Sequence, residues 1–81
     1  MHELSIAAGI VEIASEEAAQ RGCRVEVVHL KLGALSGVVR EALLFSWDVA
    51  CENSPIAGAK LEIEGVTGTE LQVTALEISD G

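Results

Sequence analysis

The sequence predicts an α+β fold in which two helices pack on one face of a three-stranded mixed β-sheet, in the order helix, strand, helix, strand, strand. Three observations carry this expectation. Apolar residues recur at spacings of three and four near the start and again in the middle of the chain. Three other segments alternate apolar with polar residues. A length of 81 residues suits one small hydrophobic core and excludes two independent domains.

The first helix is expected from Glu3 to about Arg21. Leu4, Ala7, Val11, Ala14 and Ala18 form one stripe, widened by Ile10, with Ser5, Gly9, Glu12, Glu16 and Gln20 opposite. Gly22 suits the left-handed position that ends a helix. A first strand follows over Arg24 to Gly33, where Val28, Leu30 and Leu32 alternate with His29 and Lys31. Val25 and Val27 have the other parity, which calls for a bulge near Val27 or apolar groups on both faces.

A second helix is expected from about Val39 to Glu52, burying Leu43, Leu44, Trp47, Ala50 and Cys51, with Asn53-Ser54-Pro55 ending it. Leu61 and Ile63, alternating with Lys60, Glu62 and Glu64, make the second strand. The third runs from Glu70 to Ile78 and shifts parity near Thr74. The turn-like Gly65-Val66-Thr67-Gly68-Thr69 predicts that the last two strands form an antiparallel hairpin, while the helical crossover permits parallel pairing of the first two.

Hydrophobic residues make up 49% of the chain, yet there is only one Trp, one Phe and no Tyr. The core must be aliphatic, and no aromatic platform is available for stacking bases. Thirteen acidic against five basic residues give a formal net charge of −8. That charge repels nucleic-acid phosphates and anionic membrane surfaces, so neither is an expected partner. Cys23 and Cys51 form no Cys-x-x-Cys pair and read as buried hydrophobes in a reducing compartment. No basic leader region or apolar run of about 20 residues is present, and a cytoplasmic location is expected.

An enzyme is not expected. The chain has no nucleophile elbow, no glycine-rich phosphate loop, and no histidine pair at metal-protease spacing. His29 should point away from the Val28, Leu30 and Leu32 side and reads as a surface histidine. The chemically distinctive segment is Met1-His2-Glu3. The α-amine of Met1, the backbone nitrogen of His2 and its Nδ1 can close two small chelate rings in one plane. Such nitrogen-rich planar sites suit Ni(II) or Cu(II) rather than tetrahedral Zn(II). Glu3 can add a side-chain or backbone donor.

Four stretches, "MHELSIAAGIVEIA", "VVHLKLGALSGV", "LLFSWDVACENSPIAGAKLEIE" and "ELQVTALEI", together resemble the HypA/HybF family of hydrogenase-maturation nickel chaperones over nearly the entire chain. The resemblance implies Ni(II) carried by Met1, His2 and Glu3. It also implies delivery to the large subunit of nickel-iron hydrogenase with a maturation GTPase, and in some organisms to urease maturation proteins. Members of that family carry a zinc ribbon with two Cys-x-x-Cys pairs between the last two strands, where this chain has only residues 65–69. Residues 1–81 therefore read as a single nickel-binding domain whose zinc ribbon is deleted at about 65–69, by design or by natural deletion, and no zinc is expected. The alternative is a metal-independent interaction module of the maturation machinery. Val25, Val27 and either Leu71 or Leu76 are expected to leave an apolar patch on the uncovered sheet face. That patch and the tight hairpin together predict a homodimer formed through the sheet.

Overall fold

The computed structural model describes residues 2–80 and contains five elements: α1 (Glu3–Arg21), β1 (Cys23–Gly33), α2 (Arg40–Cys51), β2 (Lys60–Val66) and β3 (Leu71–Asp80). Both helices and all three strands lie where the apolar spacing puts them. α1 ends at Gly22, whose φ of 62° places it in the left-handed region while its N–H donates to the Ala18 carbonyl. Ala7, Ile10, Val11, Ala14 and Ala18 are buried on one side of α1, whereas Leu4, expected in the same stripe, is 52% exposed.

The sheet order is β2-β1-β3, with β1 parallel to β2 and antiparallel to β3. The expected β2–β3 hairpin does not form. Instead the connection after β2 crosses the end of β1 and is bonded to it: Gly33 N–H donates to the Glu70 carbonyl (2.7 Å), Ala34 N–H to Val66 (2.8 Å) and Leu35 N–H to Gly68 (2.9 Å). A central β1 satisfies backbone groups on both of its edges, which a hairpin beside it would not do. Both expected bulges are present, as register shifts between Val25 and Val27 and opposite Thr74.

Gly33 makes the crossing feasible. A Cβ there would overlap the Gly68 carbonyl and stand 2.7 Å from the Glu70 nitrogen. Gly33→Ala is expected to cost about 1–3 kcal/mol, as overpacking against backbone does. Chemical denaturation checks this, and an unchanged midpoint would contradict the crossing.

The bulge also corrects the expected apolar patch. Val25 faces the helices and is 4% exposed, Val27 is half-buried, and Leu71 and Leu76 lie on the helix side of β3. The open face carries His29, Lys31, Glu62, Glu64 and Glu77, with His29 hydrogen-bonded to Glu77. Neither feature from which sheet-mediated self-association was expected is present. On the opposite side α1 and α2 cover a core of Val28, Leu30, Leu43, Trp47 and Ile56, each at most 2% exposed.

Candidate metal centre

α1 begins at Glu3, and His2 stands just ahead of it as the cap residue, with φ −92° and ψ 88° and no hydrogen bond from its side chain to the helix. Its backbone carbonyl accepts from Ile6 N–H (3.1 Å), so the main chain is fixed while the imidazole remains exposed and uncommitted. Met1 lies outside the described residues.

Glu3 has a second attachment that the sequence did not indicate. Its Oε2 accepts a hydrogen bond from Val39 N–H at 3.1 Å, immediately before α2. The bonds from Val39 and from its own backbone hold the Glu3 carboxyl below the usual carboxylate range. A carboxylate also suits the free N–H groups of a helix start. The link is thus present above the ordinary carboxylate range and is lost as pH falls through the lowered value. It ties the first residues of α1 to the start of α2, next to the loop over which the 66–70 connection crosses.

Among the described residues, no three or more His, Cys, Asp or Glu side chains are grouped so as to hold a metal ion. Main-chain nitrogen beside His2 is a further source of donors. The cysteines do not supply an alternative. Cys23 is half-buried at the start of β1, and Cys51 is buried in α2. Burial, reinforced by nearby Asp48, pushes the Cys51 thiol up to about 11, so it is protonated at neutral pH in the metal-free protein. His29 lies on β1, on the open sheet face and bonded to Glu77. His2 and Glu3 are adjacent in space as in sequence; the residue that sequence reasoning missed is Val39, whose contribution is a backbone N–H.

The family model described as "Hydrogenase/urease nickel incorporation, metallochaperone, hypA" matches residues 1–72. Hydrogenase maturation factor HypA of Roseiflexus sp. (strain RS-1) is 64% identical over 67 residues, covering 82% of this chain and 54% of the relative. HypA of Chloroflexus aurantiacus (strain J-10-fl) is 58% identical over 67 residues, covering 82% of this chain and 59% of its own length. The chain thus spans little more than half the length of these relatives. Among solved structures, the solution structure of the Ni metallochaperone HypA from Helicobacter pylori matches with a TM-score of 0.72 at 20% identity, over 82% of this chain and 58% of that one. A second, the solution structure of HypA protein, matches with a TM-score of 0.84 at 16% identity, over 100% of this chain and 98% of that one. At those identities the structures establish the fold: two helices on a three-stranded mixed sheet. No helix among the described residues is long and apolar enough to cross a membrane.

Proposed function

Because the chain belongs to the HypA family of hydrogenase and urease nickel-incorporation metallochaperones, we propose that it binds one Ni(II) at its N-terminus and passes it to a maturing enzyme. The ligands are the Met1 α-amine, the His2 backbone nitrogen and imidazole Nδ1, and a donor of Glu3. The observation that carries this reading is the exposed His2 side chain, free of any bond to the helix it precedes. Three nitrogens in two fused chelate rings favour a planar geometry, which Ni(II) accepts and Zn(II) does not. The Glu3 carboxylate is engaged at Val39, which keeps the chelating residues pinned to α2.

The ion is cargo, so no residue here acts as a catalyst. The recipient we infer is the nickel-free large subunit of nickel-iron hydrogenase, in a cytoplasmic maturation system with a partner GTPase and, for some systems, urease. Residues 1–81 act as the nickel-binding domain, with residues 65–69 standing where a zinc ribbon is lost. Two cysteines on separate elements leave no thiolate set for zinc in this form.

His2→Ala is expected to abolish planar Ni(II) binding and leave the circular dichroism spectrum unchanged, since the side chain is exposed. Nickel affinity should also fall steeply on acidification, because amine, imidazole and amide nitrogens must all shed protons to bind. Metal titration of both proteins over a pH series is the check. Undiminished binding in the variant, or a flat pH profile, would remove the N-terminal site and favour the metal-independent interaction module.

A further inference from the structure

Phe45 is the most exposed large hydrophobic among the described residues, at 74%, and Val49, one turn further along α2, is 47% exposed. Helical spacing puts both on the side of α2 opposite buried Leu43, Trp47 and Cys51. They are therefore not the margin of the core. The chain's one Phe and a Val are displayed to solvent on a helix whose own packing needs are already met. Exposed apolar groups of this size, grouped on one face, mark contact surfaces more often than isolated ones do, and aromatic anchors dominate such contacts.

Charge indicates the occupant. Glu41, Asp48 and Glu52 fall along one flank of the Phe45–Val49 stripe, on a chain with thirteen acidic and five basic residues. A second copy would bring the same acidic flank against itself, which is repulsive. A partner that receives the ring in an apolar pocket with a Lys- or Arg-bearing rim is complementary. Position adds a further constraint: Glu3 is bonded to Val39 at the start of this helix, and Phe45 is five residues into it, about 8 Å along the axis. A protein seated there sits on the helix whose start is tied to the residue that follows His2.

We propose that the outward face of α2, with Phe45 and Val49 flanked by Glu41, Asp48 and Glu52, is the docking surface for the nickel-accepting protein, which meets it with an apolar pocket rimmed by basic residues. The identity of the acceptor rests on the proposed function; the face does not. Phe45 and Val49 are separate from the proposed nickel ligands, so docking does not require bound nickel.

The test is calorimetric titration of nickel-free protein into purified nickel-free hydrogenase large subunit at two salt concentrations, for the native chain, Phe45→Asp and Asp48→Lys. Nickel stoichiometry and circular dichroism are measured on each chain alone. The expected result is a loss of at least tenfold in affinity for Phe45→Asp, a smaller loss with a reduced salt dependence for Asp48→Lys, and unchanged nickel binding and spectra for both. Equal affinity of Phe45→Asp and the native chain would overturn the docking face, as would no binding of the native chain. A concentration-dependent dimer abolished by Phe45→Asp would assign the face to a second copy and also overturn it. Loss of nickel binding by the native chain, with docking intact, would instead overturn only the N-terminal metal site.

Discussion

Acetylation of the Met1 α-amine abolishes planar nickel binding while leaving the fold intact. The expectation follows from ring closure. In the proposed site the α-amine of Met1 and the His2 nitrogens are members of the same fused chelate, and converting that amine to an amide removes a basic donor from it. A residue added ahead of Met1 would be no substitute for acetylation, because it places histidine third in the chain, where a new α-amine, two backbone amides and the imidazole can surround Ni(II) in a plane. The domain should not register the change, because α1 begins only at Glu3 and the His2 side chain makes no bond to it. The loss should be at least a hundredfold in affinity, equivalent to about 2.7 kcal/mol. Metal titration of the acetylated and native proteins, with circular dichroism for each, checks it. Planar binding of equal affinity in the acetylated protein would mean that the ligands lie elsewhere.

Trp47→Ala is expected to be the most damaging core substitution. Trp47 is the largest fully buried side chain, 2% exposed, and its Nε1 donates to the Ala59 carbonyl at 2.9 Å. It thus joins α2 to the segment that leads into β2. Truncation removes the ring and leaves a cavity, which costs about 3–5 kcal/mol, and it also orphans the Ala59 carbonyl. A domain of this length has only about 4–12 kcal/mol in total. The melting temperature should therefore fall by roughly 12 °C or more, or the protein should fail to fold. Trp47→Phe retains most of the apolar volume and should lose only about 1–2 kcal/mol with the hydrogen bond. Thermal unfolding of both variants is the measurement, and a drop of a few degrees in the alanine variant would mean that α2 is not held by this ring.

The elements were legible in the sequence because each has its own period: three and four along α1 and α2, two along the strands. Both bulges were legible too, since Val25 and Val27, and then Leu71 to Ile78, change parity where the ladder slips. Strand order was not. A short glycine-containing connection after β2 resembles a hairpin turn, yet passing from one side of β1 to the other spans two strand spacings, about 10 Å, which a few extended residues cover. The deciding interactions are backbone bonds from Gly33, Ala34 and Leu35 to the connection, and no side-chain pattern encodes them. The same is true at the candidate metal centre. Met1-His2 can be read as a chelate from adjacency alone, whereas the Glu3–Val39 link joins residues 36 apart and exists only once α1 lies against α2. Phe45 could have been noticed earlier, because it falls off the stripe formed by Leu43, Trp47 and Cys51.

The most direct test of the account is a Ni(II) titration of protein that begins at Met1, followed by visible absorption. Three or four nitrogen donors in a plane should produce the ligand-field band of a diamagnetic square-planar Ni(II) complex, saturating at one equivalent and absent in His2→Ala. No such band at neutral pH, or a band that persists without the His2 imidazole, would contradict the N-terminal site.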